Sequence, residues 1–174
     1  WTARLPQALG SRAPRVVETA TGSQWLFGET SWGPWGRASP ELSVRPTGFV
    51  PGDPHSRLED MTVDGVYSQV IYAPPGGLPF GDSEIRDELI AAYNDWGAEF
   101  MSASLERLVL LGQLTGHSPE SASSELLRVA KMGYRGAELQ VFQGCSLFDS
   151  AWESFWHTAN DVGIPISLHI SGGI

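Results

Sequence analysis

The feature that most constrains this chain is a regular alternation from about residue 56 to residue 170. Segments with helical spacing of apolar residues take turns with short apolar runs. The runs begin near residues 66, 108, 137 and 165, each after a helical pattern. Alternation of this kind builds parallel sheets with helical crossovers, the α/β class. A barrel segment and a doubly wound open sheet share the signal. No G-x-G-x-x-G follows a strand and no G-x-x-x-x-G-K-[ST] occurs, so the nucleotide-binding open sheets lose their main support. The pattern favours a piece of a β/α (TIM-type) barrel over the open sheet.

The elements can be read in order. Ser56-Arg57-Leu58-Glu59 fits a capping box opening a short helix that ends at Gly65. Val66 to Tyr72 is rich in β-branched and aromatic residues and reads as a strand, with Ala73-Pro74-Pro75-Gly76-Gly77 as the loop that leaves it. Asp82 or Ser83 caps a long helix whose apolar face is Ile85, Leu89, Ala92, Tyr93, Trp96 and Phe100. Leu108 to Leu114 is the second strand. Ser118 caps the next helix with Pro119 at its first position, and Ala122, Leu126 and Ala130 form the buried stripe. Gly133 ends it, and Ala137 to Phe142 is the third strand. Asp149 caps a helix faced by Trp152, Phe155, Trp156, Ala159 and Val162. Gly163 closes that helix, Pro165 suits the first residue of a strand, and Ile166 to Ile170 follows.

Residues 1–55 are different: an extended region rich in tryptophan, proline and glycine. Val16-Val17-Glu18 and Gln24-Trp25-Leu26-Phe27 fit a hairpin around Thr21-Gly22-Ser23, and Ser31-Trp32-Gly33-Pro34-Trp35-Gly36 reads as a loop. So long a stretch serves either as a lid over a pocket or as a wrapper packing its tryptophans on a neighbouring surface. The chain opens at Trp1 without a methionine and stops at Ile174, with Ser171-Gly172-Gly173 reading as the start of a loop. A piece of a longer protein is the expectation.

Charge and cysteine usage exclude some functions. The net charge is −9 and nothing resembles a basic patch interleaved with aromatics, so no nucleic-acid partner is expected. No long apolar run or signal peptide is present, so no membrane partner is expected either. Lys131 is the only lysine, leaving no other Schiff-base candidate. Cys145 is the only cysteine; it forms no intrachain disulfide, which fits a cytoplasmic protein. The sequence leaves a homo-oligomer open.

The candidate chemical residues are few. His169 falls at the C-terminal end of a strand, where parallel sheets and barrels place their chemistry. It is either a metal or catalytic residue or a hydrogen-bonded core imidazole. His117 follows the second strand and reads as a loop residue beside the Ser118 cap; His55 and His157 read as exposed. Glu138 is a charge within a strand: a ligand or base at a barrel centre, or the partner of an arginine. No H-x-H, H-E-x-x-H, C-x-x-C or G-x-S-x-G occurs, and one histidine cannot hold a metal alone.

Several stretches together resemble the amidohydrolase-related family of metal-dependent hydrolases, the branch that includes 2-amino-3-carboxymuconate semialdehyde decarboxylase. They are Arg57-Leu58-Glu59-Asp60-Met61, Asp64-Gly65-Val66 with Gln69-Val70, Tyr93-Asn94-Asp95-Trp96, Arg107-Leu108 and Glu125-Leu126. Gly133-Tyr134-Arg135-Gly136-Ala137 and Gly163-Ile164-Pro165 with His169 complete the set, and Ala13-Pro14-Arg15-Val16-Val17-Glu18 is similar to the segment after the family's first strand.

The resemblance implies a (β/α)8 barrel with one divalent metal, zinc or manganese, at its C-terminal face. Residues 56–174 would supply about strands two to five. His169 matches the strand-five metal ligand. The family's strand-one histidine pair would lie before Trp1, and its strand-six histidine and strand-eight aspartate after Ile174, so this chain would not complete the site alone. The implied activity is hydrolysis or nonoxidative decarboxylation of a small carboxylic or aromatic acid, with a small-molecule substrate as partner. The rival reading is a noncatalytic α/β binding protein or a degenerate barrel fragment. His169 is expected to face the barrel interior, and the isolated chain to be weakly stable because both sheet edges lack partners.

Overall fold

A computed structural model describes residues 3–34, 52–72, 83–141 and 146–170. The N-terminal part is a small antiparallel meander. β1 (Arg15–Thr19) pairs with β2 (Gly22–Phe27) in the register Val17↔Gln24, as the hairpin reading expects. β3 (Thr30–Pro34) adds a third strand on β2, with an irregularity between Trp25 and Leu26. The Ser31–Pro34 part of the expected loop is therefore strand. Its proline and glycine sit at the end of the meander's last strand, where fewer ladder bonds are needed.

Helix α1 (Pro54–Val63) starts earlier than the capping-box pattern suggests. Asp53, not Ser56, is the cap: its Oδ2 accepts from the Ser56 amide at 2.7 Å, and Pro54 opens the helix with its fixed φ. The bond from Ser56 holds the Asp53 carboxyl below its usual range. The next strand is shorter than expected, β4 being only Gln69–Ile71. The backbone of the residues before it is already engaged. Val66 N donates back to Met61 O at 2.7 Å, and the Arg107 guanidinium donates to the carbonyls of Tyr67 (2.9 Å) and Val66 (3.1 Å).

Helix α2 (Ser83–Met101) buries Ile85, Leu89, Ala92, Tyr93 and Phe100 as its spacing predicts, with Trp96 partly buried. Asp82, the other candidate cap, lies outside the described residues, as do the 73–77 loop and Phe142. The expected strand 108–114 is two segments, β5 (Leu108–Leu110) and β6 (Gly112–Leu114). The run changes neighbour at Leu111: Leu111 N donates to Ile71 O and Gly112 N to Gly136 O, both at 3.0 Å. β5 is parallel to β4, and β6 is parallel to β7 (Ala137–Val141). β8 (Ile166–Ile170) is parallel to β7 in turn. The order across the sheet is thus β4, β5 with β6, β7, β8, all running one way.

Helix α3 (Pro119–Lys131) has the expected Ser118 cap, whose Oγ accepts from Ser121 N at 3.1 Å. Its buried stripe is Ala122, Leu126 and Val129, not Ala130. The reason lies in the sheet. A Cβ at Gly112 would come 2.9 Å from the Val129 side chain, so the missing side chain makes room for Val129. Asp149 caps a short 3-10 turn, Ser150–Trp152, that leads into α4 (Glu153–Val162) rather than capping α4 itself. Trp152, Phe155 and Trp156 pack edge to face there, with ring centroids 5.4 and 4.8 Å apart. Gly163 ends α4 in the left-handed conformation (φ 72°) that its sequence position predicts. One apolar core joins α2, α3 and α4 to one face of the sheet, centred on Leu108, Leu110, Leu126, Leu139 and Phe155.

Candidate active site

The other face of the sheet is polar, and strand alternation explains why. Gly112 points at α3, so Gln113 points away from it. Gln113 is in register with Glu138, and Glu138 with Ser167; two residues further on, Gln140 is in register with His169. In-register residues of parallel strands share a face. The sheet therefore carries Gln113, Glu138, Gln140, Ser167 and His169 on the side turned away from the helices. His169, expected inside the sheet's curve near a strand end, is the penultimate residue of β8 and lies on this face.

Glu138 is fully buried, yet it is well provided with donors. Gln113 Nε2 donates to its Oε2 at 2.8 Å, and Gln140 Nε2 donates to Gln113 Oε1 at 2.8 Å. The Glu138 carboxylate is reached by two glutamine amides, from Gln113 at 2.8 Å and from Gln140 at 3.5 Å. His169 is less well provided. Its Nδ1 is buried and has no hydrogen-bond partner among the described residues.

At the end of β4, Tyr72 turns toward the same place. Its ring centroid lies 6.5 Å from that of His169, and its Oη accepts from Ser167 Oγ at 3.3 Å. β4 and β8 are the outer strands of the sheet. If the sheet were flat, three strand spacings would part them by roughly 14 Å, too far for these two side chains to meet. The sheet is curled, with its polar face on the inside.

The remaining histidines stand apart. His55 and His157 are exposed on α1 and α4, as expected. His117 follows β6, its amide donating to Thr115 Oγ1 at 3.3 Å; desolvation and Arg86 lower its pKa against the opposing pull of Asp87. Cys145 lies outside the described residues. Among the described residues no three His, Cys, Asp or Glu side chains converge on one point. The buried, unsatisfied Nδ1 of His169 fits one coordination position of a metal, and only one.

Gln113, Gln140, Ser167 and Tyr72 did not stand out in the sequence. Their signal was there as polar residues at every second position of otherwise apolar strands, which gains meaning only when the register is known.

No protein-family profile matches the chain, and no curated protein does. Solved structures do match. An amidohydrolase from Mycobacterium avium subsp. paratuberculosis K-10 superposes with a TM-score of 0.69 at 15% identity, over 97% of this chain and 54% of that one. The fold is that of the amidohydrolase-related enzymes. The 5-carboxyvanillate decarboxylase LigW2 of Novosphingobium aromaticivorans DSM 12444, solved with manganese and 3-methoxy-4-hydroxy-5-nitrobenzoic acid, matches at TM-score 0.60 and 23% identity, covering 66% of this chain and 34% of its own. A 2,6-dihydroxybenzoate decarboxylase from Rhizobium matches at 0.59 and 22%, over 68% of this chain and 40% of that one. The chain thus spans between about a third and a half of these amidohydrolase-related neighbours. No helix among the described residues is long and apolar enough to cross a membrane.

Proposed function

We propose that this chain forms the second to fifth strands of a (β/α)8 barrel in a metal-dependent enzyme. Its substrate is a small aromatic or other carboxylic acid, and its reaction is nonoxidative decarboxylation or hydrolysis. The observation that carries this reading is the buried, unpartnered Nδ1 of His169 on the polar inner face of a curled parallel sheet. The contact between Tyr72 and Ser167 supports a closing barrel over a flat, open sheet.

His169 Nδ1 is the atom we assign to the metal. The other ligands belong to parts of the barrel beyond the described residues. Manganese is the first expectation, because it is the metal held by the carboxyvanillate and dihydroxybenzoic acid decarboxylases of the same fold; zinc is the second. When bound, the metal supplies Lewis acidity toward the substrate or its attacking water. The chain's own residues position the rest. Gln113 and Gln140 clamp the Glu138 carboxylate below the site, so β6 and β7, the strands bearing Gln113 and Gln140, are held in register by side chains as well as by the ladder. A cytoplasmic setting belongs to the same reading and rests on the single cysteine.

The test is turnover by the intact protein loaded with Mn²⁺. Carbon dioxide release from 5-carboxyvanillate and 2,6-dihydroxybenzoate is followed beside a panel of simple esters and amides. His169→Ala should lower turnover roughly a hundredfold or more, since even outer partners of a metal site are worth about 10- to 100-fold. Undiminished turnover in that variant, or equal turnover after chelation, contradicts the proposal.

A further inference from the structure

We infer that Tyr72 is a ligand-contacting residue that selects for aromatic acids, offering its ring face and its phenolic proton beside His169. The inference rests on the function proposed above and assigns a residue to substrate choice within it.

Tyr72 directly follows β4, and β4 and β8 run the same way, so Tyr72 and His169 stand at the same end of the sheet. Val70 is in register with Val109, which puts Val70 and Tyr72 on the polar inner face. The rings of Tyr72 and His169 are 6.5 Å apart and tilted by 53°, near the wide limit for an aromatic pair. They flank one place rather than stack on each other.

Ser167 Oγ donates to Tyr72 Oη, so Ser167 uses a lone pair of the phenol and leaves its proton to be given elsewhere. A carboxylate or phenolate oxygen is the natural acceptor. The other polar side chains nearby are less free to act: Gln113, Glu138 and Gln140 spend their groups on one another and are buried. Tyr72 is 49% exposed, fixed at its tip and open on its face. An aromatic acid can lay its ring against that face while an acidic oxygen accepts the proton.

The test titrates the Mn²⁺-loaded intact protein with 4-hydroxy-3-methoxy-5-nitrobenzoate, whose nitrophenol absorbance reports binding directly. Wild type, Tyr72→Phe and Tyr72→Ala are compared, and metal content is measured in each. Loss of the hydroxyl alone should weaken binding roughly tenfold, and loss of the ring as well by a further order of magnitude, about what a hydrogen bond to a charged group and an aromatic contact are worth. Metal content should stay at one per chain, which separates a lost contact from a collapsed site. Tyr72→Ala binding as tightly as wild type, with metal bound, overturns the inference and leaves the proposed function standing. A metal-loaded wild type that does not bind the probe overturns both the inference and the aromatic-acid reading.

Discussion

Asn94 and Gln113 are joined by two hydrogen bonds of the kind that neighbouring strands share. Gln113 N donates to Asn94 Oδ1 at 2.8 Å, and Asn94 Nδ2 donates to Gln113 O at 2.9 Å. A helix side chain thus completes a sheet edge: it takes over next to β6, where the pairing of β4 with β5 has ended. Asn94 is wholly buried, and Tyr134 Oη donates to its carbonyl at 2.6 Å.

Asn94→Ala should therefore cost about 2–4 kcal/mol, because it strands a buried backbone donor and acceptor together. Urea unfolding of the intact protein measures this. A loss below about 0.5 kcal/mol, the size of an ordinary surface change, would show that solvent replaces both bonds.

The amide and carboxylate belt behind the site makes a contrasting prediction. Glu138→Leu should destabilise by roughly 2 kcal/mol, since the Gln113 amide loses its acceptor in a buried place. Replacing Gln113, Glu138 and Gln140 with leucine together should restore most of that stability, because no polar group is then left unmatched. Chemical denaturation curves of wild type, Glu138→Leu and the triple variant decide the matter, and a triple variant weaker than Glu138→Leu would refute this.

Much of this fold could be read in advance because its punctuation is local. Gly163 ends a helix, Pro165 precedes a strand, and Ser118-Pro119 opens a helix, each by its own backbone chemistry. The misreadings arose where another part of the chain intervenes. The late start of the strand expected over 66–72 depends on Arg107, some forty residues away, and the Val129 stripe depends on the missing side chain at Gly112. Of the candidate site, only His169 and Glu138 stood out in the sequence. The contact between Tyr72 and Ser167 spans 95 positions and exists only because the sheet curls, which no local pattern encodes.

Close packing of α2 on the sheet rests on Gly97. A Cβ there would lie 2.3 Å from Tyr134 Oη and 2.4 Å from Leu110 Cδ2. Alanine usually gains about 1 kcal/mol over glycine within a helix. Here the overlap involves a tyrosine held by Asn94 and a buried leucine, so Gly97→Ala should be destabilising by about 1–3 kcal/mol net. A rise in melting temperature for this variant would show that the two side chains step aside freely.

The two outer strands carry apolar residues in the open: Val70 is 60% exposed, and Leu168 on β8 is 54% exposed. Unpaired strand edges with apolar side chains invite association. The 174-residue chain studied by itself should melt broadly and self-associate as its concentration rises. Sedimentation of a monodisperse monomer with a sharp, reversible melt would contradict this.

The proposed chemistry depends on one imidazole nitrogen being a metal ligand. Electron paramagnetic resonance of the intact protein titrated with Mn²⁺ tests this most directly, since bound and free ions give different signals. Wild type should take up one ion per chain, and His169→Ala should bind it at least about tenfold more weakly while keeping its fold by circular dichroism. Equal uptake by the two proteins would contradict the assignment of His169, and with it the proposed chemistry.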